Sequence, residues 1–248
     1  MEYQYVVNTT NSIYTAGMST FYVIATPIGN KEDITERAKR ILADVDLVAC
    51  EDTRVTKRLL ESYEIYTSLI SYHAQSPEQK EQYICDLLGK GKDIALVSDA
   101  GTPTISDPGT RLVARIHASV PSAQIVVVPG PSAGIALLSG SGISTHPHIF
   151  YGFLPHKKGR TTMIREILAN NYTSVLYESP HRIIKFLESL MENEAGERLI
   201  VVGRELTKMY EEIIRGTTRE VLEYFTQHPD KVRGEFVVAI TGTKNKVY

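Results

Sequence analysis

The chain reads as a series of short apolar runs, each broken by a cluster of turn residues. FYVIAT at 21–26, DLVAC at 46–50, SLISY at 68–72, IALV at 94–97 and QIVVV at 124–128 have the length and the β-branched content of buried strands. Between them, apolar residues recur every three or four positions. Ile34, Ala38, Ile41 and Leu42 predict a helix after Asp33, which stands where an N-cap belongs. Further helices are predicted around Leu59 and Leu60, over 77–88 with Gly89 and Gly91 to stop it, over 110–118, and through the small-residue stretch AGIALLSGS after Ser132. Strands alternating with helices build a parallel sheet covered on both faces.

After Thr145-His146-Pro147-His148 the pattern restarts. Strands are expected at 149–153, 174–178, 199–203, 211–215 and 235–241. Helices are expected over 160–169 and 181–191, and from a Thr217 or Thr218 cap through Phe225. The fold class is therefore α/β, with two mixed α/β domains: an N-terminal one over 19–145 and a C-terminal one over 146–248. Residues 1–18 are polar and aperiodic and are expected to form a disordered extension.

Composition narrows the class without naming a function. The chain has 248 residues, 42% apolar and 23% charged, which is ordinary for a globular protein. No apolar run approaches the roughly 18 residues needed to cross a bilayer, so no membrane partner is expected and a cytoplasmic location is. The net charge of −2 puts any nucleic-acid surface into a local patch. Cys50 and Cys85 have no metal-ligand spacing, so no metal site is expected.

The candidate chemistry lies where strands end. IALVSDAGTPTISDPG, at 94–109, passes from a strand into a loop dense in glycine and proline. FYVIAT runs into Pro27, Ile28, Gly29 and Asn30, and QIVVV into Pro129, Gly130, Pro131, Ser132 and Ala133. Three such loops on one rim of a parallel sheet make a small-molecule cleft. Glycine lets a ligand approach the main chain closely. No G-x-G-x-x-G follows the first strand, which disfavours a nicotinamide site. Glu51, Asp52, Thr53 and Arg54 could be a further site or a capped helix start, the commoner explanation. His156, Lys157, Lys158, Gly159 and Arg160 are the densest basic run, which could contact phosphates or simply face solvent.

TPIGN, CEDTR, SYH, SDAGTPTISDPG, VPGPSA, GFLP, YESPHR, RELTK and GEFVV occur in one order along residues 20–242. In these motifs the chain resembles the RsmI family, the cytidine-2′-O-methyltransferases of small-subunit ribosomal RNA, within the wider tetrapyrrole-methylase-like class. The resemblance implies two α/β domains with S-adenosylmethionine held in the cleft between them, largely by main-chain groups. It implies cofactor contacts at Pro27, Ile28, Asp99, Ala100, Gly101, Thr102, Ser132, Ala133, Tyr177 and Glu235. Tyr177 could equally be a packed strand aromatic, and Arg204 with Glu235 an ordinary ion pair. Glu178 is the candidate base and Arg204 the candidate for holding the hydroxyl or a phosphate, with His181 beside them. Lys157, Lys158 and Arg160 are the candidate RNA contacts. The expected partner is 16S ribosomal RNA in the small subunit, and the expected assembly a homodimer. Two other functions stay open: a tetrapyrrole-type small-molecule methyltransferase of the same fold, and a nucleotide-binding module without chemistry.

Overall fold

The computed structural model describes residues 19–244, so the expected extension at 1–18 lies outside the described residues. Chain contacts divide the molecule into two compact units. Among the described residues, the first comprises 19–24, Arg37–Val97 and Pro108–Val128. The second comprises Ala25–Glu36, Ser98–Asp107 and residues 129–244. A single cut at 145/146 does not describe this division: the loops at 25–36 and 98–107 pack with the later half of the chain.

In the first unit the runs form β1 (Thr20–Ile24), α1 (Glu36–Asp44), β2 (Leu47–Cys50), α2 (Thr53–Glu61), β3 (Leu69–Ser71), α3 (Glu78–Gly89), β4 (Ile94–Val97), α4 (Thr110–Ser119) and β5 (Gln124–Val128). The strands pair in parallel in the order β3-β2-β4-β1-β5. The connections from β1 to β2 and β2 to β3 step one way across the sheet, and those from β3 to β4 and β4 to β5 step the other. With right-handed crossovers, α1 and α2 cover one face and α3 and α4 the other. The chain therefore reverses direction between the adjacent strands β1 and β4, where open α/β sheets bind their ligands. Phe21, Ile84, Leu88, Ile94, Leu96, Leu112 and Ile116 fill the core on the α3–α4 face.

The second unit holds α5 (Ala133–Gly140), β6 (His148–Phe153), α6 (Arg160–Ala169), β7 (Thr173–Glu178), α7 (Ile183–Glu192), β8 (Leu199–Arg204), β9 (Glu212–Thr217), α8 (Thr218–Gln227) and β10 (Phe236–Ile240). Its sheet runs β6-β7-β10-β8-β9, parallel between β6 and β7 and antiparallel elsewhere. β10 is apolar throughout because both faces are buried. Phe236, Val238 and Ile240 enter the core with Phe186, Leu187 and Phe225, while Val237 and Ala239 enter the core with Leu137 and Leu138 of α5.

Two local readings resolve. Asp33 does not cap α1. Ile34 keeps an extended backbone (φ −71°, ψ 138°), so the helix begins only at Glu36. Asn30 instead caps a single 3-10 turn, its side chain accepting from the Glu32 amide at 3.0 Å. Asp52, by contrast, is the N-cap of α2 and accepts the Arg54 N–H at 2.8 Å. The Arg54 guanidinium also holds the Asp52 carboxyl well below the usual carboxylate range. The cluster at 51–54 is thus built as a helix start.

Candidate active site

The loops leaving β1 and β4 are tied together through their main chains. The Thr26 and Gly101 amides exchange hydrogen bonds with each other's carbonyls at 2.8 and 3.0 Å. The Ser98 hydroxyl donates to the Gly101 carbonyl, and the Thr102 hydroxyl donates to the Pro131 carbonyl, which fastens the third loop. Gly101 sits at φ +81°, a conformation that favours glycine, and a Cβ there would lie 3.3 Å from the Ile28 side chain. Thr104 and Ser106 are non-glycine residues at positive φ, 72° and 71°. Such strain costs about 1–3 kcal/mol per residue and clusters at ligand sites.

These loops line a cavity of about 350 Å³, at the small end of the range of about 300–1,000 Å³ for ligand sites. Ile28, Asp99–Thr102 and Ile105–Asp107 form one side. Ser132 and Ala133 contribute the start of α5, and Phe153 with Tyr177–Pro180 the ends of β6 and β7. Gly203, Leu206 and Gly234–Val237 complete it. All of this lining belongs to the second unit. The cavity brings together Ile28, Asp99, Ala100, Gly101, Thr102, Ser132, Ala133, Tyr177, Glu178 and Glu235 from the residues singled out by sequence. Pro27 is buried beside Ile28, outside the lining.

Tyr177 combines both readings made of it. Its ring packs edge-on against Phe150 at 5.0 Å and Phe153 at 5.5 Å, while the residue lines the cavity. Burial pushes its phenol pKa up, against hydrogen bonds from the Gly134 amide and the Ser132 side chain. At neutral pH the phenol keeps its proton.

Glu178 is committed within the protein. Its side chain is fully buried. One oxygen accepts from Arg160 Nη2 at 2.8 Å; the other accepts from the Ser179 amide at 2.8 Å and forms an ion pair with Arg182, whose Nε lies 2.8 Å away and donates to the Ser179 hydroxyl. Arg182 also donates to the Leu154 carbonyl, so the clamp joins β7 to the turns before α6 and α7. This places Arg160 away from the free basic surface, its guanidinium held by Glu178 and lying 5.9 Å from the Phe186 ring. Lys157 and Lys158 are exposed, as is His181.

Arg204, at the end of β8, is buried and outside the lining. It donates to the carbonyls of Arg233 and Tyr210, each at 3.1 Å, and so fixes the two loops flanking Gly203 and Gly234. Lys208 bridges Glu205 and Glu235 at 2.8 and 2.7 Å, which braces the same wall. Gly203, Leu206 and Gly234 were not singled out by sequence, because a glycine or a leucine carries no chemical signature of its own. Ser106 and Asp107 lay within the quoted loop, and their position in the SDPG turn was the available signal.

Residues 20–222 match the family model for tetrapyrrole (corrin/porphyrin) methylases. Ribosomal RNA small subunit methyltransferase I of Bacillus subtilis is 44% identical over 92% of this chain and 77% of that protein. The enzyme of the same name from Vibrio cholerae is 41% identical over 96% of this chain and 82% of that protein. Among solved structures, the methyltransferase CobJ superposes with a TM-score of 0.64 at 17% identity, covering 91% of this chain and 95% of that one. Uroporphyrin-III-C-methyltransferase from Thermus thermophilus gives 0.63 at 18%, covering 90% and 94%. At such identities the two structures share the fold with this chain.

Proposed function

We propose the function from one premise: the chain belongs to the tetrapyrrole (corrin/porphyrin) methylase family and, within it, to the ribosomal RNA small subunit methyltransferase I branch. The protein is an S-adenosylmethionine-dependent methyltransferase of small-subunit ribosomal RNA. Its acceptor is the ribose 2′-hydroxyl of a cytidine in 16S ribosomal RNA. The observation that carries this reading is identity of 41–44% with enzymes of that name across nearly the whole chain.

The lining fits the cofactor. A glycine main chain at Gly101 leaves space that a Cβ would fill, and the first amides of α5 are helix-start donors. Asp99 and Asp107 line the same cavity, as does Glu235, which is paired with Lys208. When bound, S-adenosylmethionine supplies a methyl group already activated by its sulfonium. The chain's task is then to align acceptor and methyl, since alignment can supply about 7–11 kcal/mol of a barrier. Tyr177, protonated and packed against Phe150 and Phe153, shapes the cavity wall rather than taking the acceptor's proton. Glu178 orders Arg160 and Arg182 and thereby shapes the wall at Ser179 and Pro180. Arg204 positions the loops on the other side. Lys157 and Lys158 supply cations for the RNA backbone. The protein acts in the cytoplasm as a homodimer, which light scattering tests by a particle of twice 27.7 kDa.

The deciding experiment incubates the purified protein with labelled cofactor and small ribosomal subunits from cells lacking the gene. Label in 2′-O-methylcytidine, identified by nucleoside mass spectrometry, is expected. Label in another nucleoside would change the acceptor. An unlabelled RNA would overturn the reading.

A further inference from the structure

We propose that Phe153 is the platform on which one extruded nucleobase of the RNA stacks at the mouth of the cavity. The inference rests on the functional reading above and assigns that substrate a contact site.

Phe153 is the last residue of β6, lines the cavity and is nevertheless 56% exposed. A lone exposed apolar residue is ordinary. Here a second one, Ile105 at 45%, lines the same cavity from the central loop. Two apolar side chains therefore stand in solvent at one opening. The backbone is built to put them there. The β6–β7 ladder slips register between Phe150 and Gly152, and such bulges re-aim the side chains that follow. Gly152 sits at φ +62°, and a Cβ on it would meet the Ser106 hydroxyl at 2.4 Å. Glycine takes this left-handed backbone without strain and leaves room for the Ser106 side chain beside β6.

The Phe153 ring is also held. Tyr177 supports it edge-on at 5.5 Å, and Phe150 supports Tyr177 in turn. An aromatic ring braced on one side and open on the other is what single-stranded RNA recognition uses, because unstacked bases stack on such rings. A 2′-hydroxyl reaches into a cavity most readily when its nucleotide leaves the helix, as nucleotides do when enzymes act on their bases. The neighbouring charge is complementary. Exposed Lys157 and Lys158 follow within five residues, at most about 18 Å of extended chain, near enough for phosphates flanking an extruded base.

The test compares Phe153→Ala, Phe153→Leu and Phe153→Tyr by single-turnover methyl transfer to unmethylated small subunits at saturating cofactor. A stacked base is worth about 1–3 kcal/mol by alanine substitution, so the Ala variant should lose roughly 5- to 150-fold in transfer efficiency. Tyr should restore the rate and Leu should not, because stacking needs a flat ring whereas packing needs only bulk. Because Phe153 also lines the cavity, each variant is assayed at a cofactor concentration that calorimetry shows to be saturating for it, and its far-ultraviolet spectrum should stay native. A fluorescent cytidine analogue at the acceptor position should change its emission on binding the parent and the Tyr variant, but not the Ala variant. Parental rates in the Ala variant, or rescue by Leu as complete as by Tyr, would overturn the platform. A parent protein that leaves the RNA unmethylated would instead overturn the functional reading, and the platform with it.

Discussion

Gly101 and Glu178 show how little of a side chain's role follows from its type. Gly101 acts through a missing Cβ and a positive φ, and both of its main-chain groups are bonded to Thr26. Gly101→Val would force a β-branched residue into the left-handed region, costing about 1–2 kcal/mol. It would also press on Ile28 in the lining. Calorimetry should show S-adenosylmethionine binding lost while the far-ultraviolet spectrum stays native; undiminished affinity in a folded variant would move the cofactor off this loop. Glu178 was legible as a carboxylate at a strand end, the position of a base. Its partner Arg160 was not legible, since it lies eighteen residues away and reads as part of a basic run. Breaking a buried ion pair costs about 3–5 kcal/mol, so Glu178→Gln should lower the unfolding free energy by that order in denaturant titration. Its folded fraction should still transfer methyl within about tenfold of the parent, whereas a base removed typically costs about 10²–10⁴-fold. A stable variant slowed a hundredfold would return Glu178 to proton transfer.

At the scale of elements, α3 and α4 are joined through one buried carboxylate. Glu81 on α3 is 2% exposed and accepts from Arg111 on α4 at 2.5 Å and from the Tyr72 hydroxyl at 2.9 Å. Arg111 also reaches the Ser76 carbonyl, which pins the loop after His73. Burial alone would raise the Glu81 carboxyl, but the hydrogen bonds from Arg111 and Tyr72 outweigh it and hold the pKa below its ordinary value. Burial and the Glu81 hydrogen bond push Tyr72 up to about 12, so its hydroxyl remains a donor. A carboxyl whose folded pKa is depressed contributes stability above its unfolded pKa and loses it as pH falls through the folded one. Glu81→Gln should therefore cost about 3 kcal/mol at pH 7. The gap to the parent should narrow as the pH is lowered below the ordinary glutamate value of about 4.3. Denaturant midpoints across pH measure it, and a gap constant with pH would show that Glu81 acts by shape alone. The elements themselves were legible because apolar period and turn residues agree: IALV and QIVVV are strands at the expected bounds, and the Thr217 capping box starts α8. Asp33 failed because it closes the 3-10 turn Lys31–Asp33 and Ile34 after it stays extended, which moves the start of α1 to Glu36.

Across the whole molecule, the order of loops was legible and their grouping was not. Three Pro/Gly loops announced a ligand rim, yet nothing in their composition says that residues 25–36 and 98–107 pack with the later unit. Those contacts are made by ordinary residues such as Ile28 and Ser106, which only the folded chain brings into place. The basic run is the same problem seen from outside. Spacing alone made Lys157, Lys158 and Arg160 one surface, whereas the fold leaves the two lysines in solvent and turns Arg160 inward to Glu178. The two groups should therefore respond differently to salt. Each phosphate contact removed lowers the log–log salt slope of RNA binding by roughly 0.7–0.9. Replacing Lys157 and Lys158 with Ala should flatten the slope by about 1.4–1.8 in total, with cofactor affinity and melting temperature unchanged. Arg160→Ala should leave the slope near the parent's while lowering the melting temperature, because it strips Glu178 of a partner. Binding to small subunits, measured by filter retention from low to physiological salt, separates the two. A slope that moves with Arg160 and not with the lysines would place the backbone contact inside the clamp and take the exposed loop out of the RNA interface.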